Sequence, residues 1–599
     1  MRVDPSLDDI PAYAGPSLDD ILPIVDPSRV RMNRKSLVVS ALFGLNLLLM
    51  PFKPYLSEAT PFRGATHRLL TVEAAETINQ TEHMEYFRTR FSVSTLPLGA
   101  TYVYDAATGT DVARHAFPLN RSVQADCAHA IITSVAGALY FPLAHVTDIS
   151  HVLCGFNATA STAYAKVWKH TMLSTPHALS VLWTVPGNDL LPPPKKSDQV
   201  DSFTIYSLYA SSDYTTSWRL LKLFCRLFLS VYIGYVCYAE YYTHVVHLRK
   251  ALMSYVMSER KNVVRYEILV GDATCIVLSH PKICFLFVLD FWMSPELSGQ
   301  AAMRVEQFES AYYFALGSMY FSRSVWLSYS TLVLLNPLLR RARKSHWLKP
   351  ANPTLLAIAA YAYSGFFTHL QLAWYPMLSV YIALFSMMIT PAPPGDEFVE
   401  AIAAFLGFSL SLCTLPVLLG VPGIAARAAK RAVRNVRQVS NGRDATRWYR
   451  FHAHDGADMN EGAFAYNDFK HKSLLWFYRL GSNIQDVMHG GSMYRLFEAY
   501  PEYRRHGTMD QRGGDCYVLG YTRTNKLVEV TRVSLVSQMD APLYVRKTAK
   551  HHDGGRKRSL SKTPRNFRYA VGTLVVHRTG APGAMVSVTK GAKDSPWVA

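Results

Sequence analysis

Residues 36–52 run for 17 positions without a charged side chain, and Arg29, Arg31, Arg34 and Lys35 stand directly before them. A helix rising 1.5 Å per residue needs about that length to cross a ~30 Å hydrocarbon core. Similar apolar runs recur at 220–242, 268–293, 311–339, 354–390 and 401–421. Chains that fold in water seldom carry such runs. With 49% hydrophobic and 18% charged residues and a slightly positive mean hydropathy, composition points the same way and excludes a disordered chain or a coiled coil. The expectation is a polytopic α-helical membrane protein of about six spans.

Charge is divided along the chain. Residues 425–599 hold 30 Lys/Arg against 14 Asp/Glu, whereas 53–217 hold 11 against 13. A uniformly basic protein would suggest nucleic acid; a balance that switches across apolar runs suggests a bilayer, with Lys and Arg kept on the cytoplasmic side. The basic flanks put both termini in the cytoplasm and 53–217 outside, in the secretory pathway or plasma membrane. The run at 36–52 is read as an uncleaved signal anchor, although Ser57, Glu58 and Ala59 resemble a cleavage motif. Arg219, Lys222 and Arg226 share one helix face at the outer end of 220–242, where they are expected to snorkel to headgroups. The run at 268–293 is broken by Ser279, His280, Pro281 and Lys282, so it reads as a broken or re-entrant span. Parity of the basic clusters favours one crossing plus a half-inserted piece in 354–390, and six spans over seven.

The sequons at Asn79, Asn120 and Asn157 all fall in 53–217, which suits an exterior glycosylated domain. Asn352 is followed by Pro353 and does not count. Cys127 and Cys154 are the two cysteines of that segment and are expected to form a disulfide. A helix at 72–90, a hairpin near Gly109 and a strand at 203–209 make the domain α+β. The N-terminal tail, 1–35, repeats Pro-Ser-Leu-Asp-Asp-Ile at Pro5 and Pro16 and reads as a disordered acidic and apolar segment, either a recently duplicated solvated tail or a docking motif for a protein partner presented twice. Residues 425–445 form a basic juxtamembrane helix suited to anionic cytoplasmic-leaflet lipids. A small α+β cytoplasmic domain follows at 446–545, with strands at 516–521 and 527–536. A basic linker and hairpin occupy 546–599. Ser559, Ser561 and Thr563 in that linker are phosphorylation candidates.

No glycine loop is followed by the Lys and Ser/Thr of a P-loop, and no Cys-x-x-Cys or Gly-x-Ser-x-Gly occurs. His452, His454, Asp455 and Asp458 read as a polar loop rather than a metal site. No cofactor or metal and no catalytic set is expected. The sharpest candidates are charges inside apolar runs: Asp272, Lys282, Asp290 and Arg323. Arg323 is expected to face Asp272 or Asp290. Should the helix break near Ser322 and Ser324 instead, the fourth span would shrink to 325–339 and 294–324 would become an exterior or interfacial helix. The functional expectation is a receptor, sensor or scaffold coupling an exterior to a cytoplasmic domain; a transporter or channel is the alternative.

Overall fold

The computed structural model describes residues 30–58, 60–62, 80–118, 135–136, 164–172, 175–190, 202–212, 215–254, 263–307, 309–342, 351–374, 376, 398–400, 476–478, 488–490, 508–535, 570–578, 584–589 and 595–599. Their helices are α1 (Arg34–Leu49), α2 (Gln80–Arg90), α3 (Thr216–Cys237), α4 (Thr243–Ser254), α5 (Thr274–Ser279), α6 (Pro281–Trp292), α7 (Ser298–Glu306), α8 (Ala311–Ser322), α9 (Val325–Arg341) and α10 (Pro353–Ala373). Their strands are β1 (Val30–Met32), β2 (Tyr102–Asp105), β3 (Thr110–Pro118), β4 (Ala165–Met172), β5 (Thr175–Pro186), β6 (Ser202–Ser211), β7 (Arg265–Leu269), β8 (Phe398–Glu400), β9 (Met488–Gly490), β10 (Cys516–Tyr521), β11 (Leu527–Leu535), β12 (Thr573–Arg578), β13 (Ala584–Thr589) and β14 (Trp597–Val598).

The strands gather into two six-stranded sheets and a separate β12–β13 hairpin. The first sheet has the order β1-β7-β10-β11-β14, with β9 also on β11. It joins chain ends that are far apart in sequence: β1 lies parallel to β7, and β10 runs antiparallel to both β7 and β11. The second sheet has the order β2-β3-β6-β5-β4-β8. Its period-two alternation places Val181, Leu208 and Ala210 on α2 through Phe87 and Phe91. Ala113, Ala178 and Tyr209 face the other way, towards Met303 of α7.

Helices connect the sheets. The α1 helix starts one residue after β1, where the Asn33 side chain accepts the Ser36 N–H and also donates to Glu267 of β7. The α3 helix follows β6, passes through one π-turn at Tyr238–Tyr242 and continues as α4 towards β7. It lies antiparallel to α1: Ser230 donates to the Leu48 carbonyl near one end, and Ser40 meets the Tyr242 hydroxyl 3.0 Å away near the other. Leu47, Ile233, Val236, Tyr241, Ile268, Phe287 and Val518 belong to one core shared by helices and first sheet. Phe287 and Trp326 stack with ring centres 3.8 Å apart.

Several expectations are corrected. The six-span architecture does not hold: among the described residues, two helical stretches are long and apolar enough to cross a membrane, Arg34–Leu56 and Thr216–Ser254. The multi-pass description falls with it. The run at 268–293 opens as strand β7 and then breaks at His280, whose ring nitrogen caps α6 ahead of Pro281. The run at 311–339 is two helices, α8 and α9, parted at Arg323. The run at 354–390 begins as α10 on an Asn352 cap with Pro353 in the first turn, and its latter part is outside the described residues, as is 401–421. The last residues of the tail, 30–32, form a strand, and the strands of 446–545 belong to the same sheet as 265–269 rather than to a domain of their own. The disulfide is withdrawn as well. Cys225, Cys237, Cys275, Cys284 and Cys516 are all free thiols, and Cys127 and Cys154 lie outside the described residues.

Close backbone approach fastens the helices to the first sheet at Gly271. A Cβ there would lie 2.5 Å from the Asp515 carbonyl oxygen and 2.7 Å from that of Gly513. We expect Gly271→Ala to destabilise the protein by about 1–3 kcal/mol, because backbone rather than a movable side chain must give way. Denaturant titration of purified protein checks this; a change within a few tenths of a kcal/mol would show the junction to be loose.

Candidate functional site

Four ionisable side chains form a closed ring of alternating charge at the second-sheet end of the helices. Arg226 Nη2 lies 2.7 Å from Glu58 Oε2, and Glu58 Oε1 lies 2.9 Å from Arg323 Nη1. Arg323 Nη2 is 2.7 Å from Asp290 Oδ2, and Asp290 Oδ1 is 2.7 Å from Arg226 Nε. Each guanidinium therefore spans both carboxylates, the geometry for which its planar fork is suited. Lys222 extends the ring, 2.8 Å from Glu296 and 3.7 Å from Glu58. Three cations meet three carboxylates, so the buried charge balances.

Each of the four ring members arrives from a different piece of chain. Lys222 and Arg226 are four residues apart on α3 and so share its inward face. Glu58 follows the turn after α1, its N–H held by the Pro54 carbonyl. Asp290 is in the last turn of α6, and Glu296 in the short 3-10 turn Pro295–Leu297. Arg323 sits at the break between α8 and α9. Aromatic rings close the faces: Arg226 lies 4.5 Å from the Tyr55 ring centre, and Arg323 5.4 Å from Phe291 and 5.5 Å from Tyr320. Burial by itself would raise the Glu58 carboxyl, but Lys222, Arg226 and Arg323 outweigh it and hold it below the usual carboxylate range. Glu296 goes the other way: burial raises it, and Lys222 only partly opposes.

A second node joins the helices to the second sheet. Asp111 of β3 is fully buried and accepts from Tyr102, from Gln300 and from Arg304, whose Nε lies 2.9 Å away. Burial pushes its carboxyl up against the pull of Arg304 and the two hydrogen-bond donors. Beside it, Glu309 takes the Thr101 and Tyr102 backbone N–H groups, each at 2.8 Å. A third polar group, His170 of β4, is buried with its Nε2 2.5 Å from Ser180 Oγ. Burial lowers its pKa from 6.5 to about 4.

Of the four charges singled out in the sequence, the structure brings Asp290 and Arg323 together and leaves the other two elsewhere. Asp272 lies at the first-sheet junction and accepts the Thr274 N–H. Lys282 is exposed in the first turn of α6. Glu58, Glu296, Lys222 and Arg226 were not read as members of a site. Arg219, Lys222 and Arg226 were expected at headgroups, yet all three are buried. Their shared helix face was the available signal, while Glu58 had no partner nearby in sequence to mark it. Asn79, Asn120, Asn157, Ser559, Ser561 and Thr563 lie outside the described residues.

The arrangement is chemically that of a clamp: its cations and carboxylates are spent on one another. Among the described residues no group of three or more His, Cys, Asp or Glu is placed to hold a metal ion. Comparison with protein-family models, with curated proteins and with solved structures found no match.

Two outcomes are expected. Arg323→Ala leaves one buried carboxylate uncompensated and should cost about 3–5 kcal/mol, whereas adding Asp290→Asn restores the balance and should recover most of it; a double-mutant cycle measures the difference. Separately, the folded His170 titrates below the 6.5 of free imidazole. Its contribution is thus fully present above pH 6.5 and lost as pH falls towards about 4, by up to ~3 kcal/mol. Thermal unfolding of His170→Asn over that interval should show a shallower pH dependence than the parent chain, and equal slopes would refute the assignment.

Proposed function

We propose that this chain is a coupling scaffold, of receptor or sensor type, in which the state of the second sheet is transmitted to the first through the helices. The closed Arg226–Glu58–Arg323–Asp290 ring carries the reading, because it ties four separate segments of the chain at one point. The Asp111–Arg304 pair extends that grip to the second sheet, and the Gly271 junction extends it to the first. A transporter would need charged groups able to exchange partners with a passing solute; each ring arginine already spans two carboxylates.

In this reading the protein sits at a membrane of the secretory pathway or at the plasma membrane, with both termini on the cytoplasmic side. The duplicated Pro-Ser-Leu-Asp-Asp-Ile segment is a docking site for a protein partner, and 425–445 rests on anionic lipid.

Hydrogen exchange on the full chain tests the coupling. Arg304→Ala, which cuts the link between α7 and β3, should raise exchange in β7 and β10 of the distant first sheet as well as in β3 and β6. Faster exchange confined to the second sheet would show the sheets to be independent and would sink the proposal.

A further inference from the structure

The second sheet leaves part of one strand open along its edge. On one side β4 pairs with β5 from Ala165 to Met172. On the other side β8 covers only 169–171. The sequence ahead of β8 holds Pro393 and Pro394, which lack the N–H that a ladder needs. The phase of the β4–β5 ladder decides what 165–168 present at the open edge. The Thr184 N–H donates to the Tyr164 carbonyl, so Tyr164 is turned towards β5, and Lys166 and Trp168 follow at period two. Ala165 and Val167 therefore point both N–H and C=O away from β5.

That edge is one wall of a cleft of about 860 Å³, and α2 forms the other. The volume lies in the ~300–1,000 Å³ range of ligand sites. Met84, Glu85 and Arg88 line it from one face of α2. Val167 turns its side chain towards α2, and alternation sends that of Lys166 to the opposite face. Hydroxyl groups at the rim are already engaged: Thr89 donates to the Glu85 carbonyl, and Ser92 and Ser94 bond to each other. The cleft thus offers main-chain donors and acceptors, an apolar side chain at Met84, and two cations, Arg88 and Lys166. Glu85 is the one carboxylate among the described lining residues.

We infer that this cleft takes an extended, acidic peptide segment of a partner protein, which adds to β4 as a further strand beside β8. Ala165 and Val167 hold its backbone, as main-chain bonds do in strand addition generally. Its side chains alternate. Those facing α2 meet Met84, with Arg88 at the rim, and those facing away meet Lys166, so acidic residues interleaved with apolar ones fit best. A second copy of this chain fits worse. Two β4 edges meeting antiparallel through Ala165 and Val167 would set the two Lys166 side chains directly opposite, where like charges repel. The inference goes beyond the coupling reading and stands even if the two sheets prove independent.

The test titrates the full, unmutated chain into a fluorescent, terminally blocked peptide of alternating valine and aspartate and follows its anisotropy. Two further peptides carry N-methyl groups on every valine or on every aspartate. Successive N–H groups of a strand point to opposite edges, so one methylated peptide loses its bonds to β4 and the other keeps them. The first should bind at least about tenfold more weakly than the parent, the loss of a main-chain hydrogen bond whose partner is left unmet. The second should bind as the parent does. Because these changes are in the peptide, folding of the protein is not in question. Lys166→Glu in the full chain should weaken binding of the unmethylated peptide several-fold. Absence of saturable binding overturns the inference, as does an equal response to both methylated peptides or an unchanged affinity with Lys166→Glu. Self-association of the chain that excludes the peptide gives the edge to a second copy and also overturns it.

Discussion

The ring of two arginines and two carboxylates is the constraint around which the helices are arranged. Removing four full charges from water costs several kcal/mol per ion, and Coulomb attraction offsets that only where geometry is good and every charge is met. The ring satisfies both conditions, with contacts of 2.7–2.9 Å and a guanidinium on either side of each carboxylate. A pair can tolerate sliding; a ring cannot, since any one segment that moves strains two contacts. Glu58 after α1, Arg226 on α3, Asp290 ending α6 and Arg323 between α8 and α9 are therefore held in one mutual placement.

The same constraint accounts for local features that otherwise look irregular. The break after Ser322 leaves Arg323 at the C-cap of α8, from where it reaches both Glu58 and the end of α6. The α3 helix turns its cations inward because their partners are inside, which leaves its aromatic and aliphatic side chains outside. At the second sheet, Arg304 and Gln300 of α7 repeat the device on a smaller scale with Asp111. Apolar packing does the complementary work at the first sheet, where Tyr241, Ile268, Cys516 and Val518 share a core with the helices.

Much of the local structure was legible in the sequence. Alternation at Cys516–Tyr521 and Leu527–Leu535 marks strands that do pair, with Asn525 at φ 58 in the turn between them. The residues around Gly109, φ 68, likewise lie in the turn joining β2 to β3. These signals are local, so periodicity and turn chemistry suffice. The number of spans was not legible, because hydropathy scores a buried core helix and a lipid-facing helix alike. The runs at 268–293 and 311–339 are interrupted at Pro281 and Arg323, so neither forms one long helix.

By itself the sequence determined where the chain is apolar, where its charge changes sign, and which short segments alternate as strands or carry helix caps. These depend on neighbours a few residues apart. Only the tertiary structure decided that Val30–Met32 joins Arg265–Leu269 and Cys516–Tyr521 in one sheet, and that Glu58 meets Arg226 and Arg323. The physical reason is range. A charge or a strand edge buried among distant segments takes its energy from partners that sequence proximity does not indicate, so the choice is made when the core closes and all of the buried charges must be matched together.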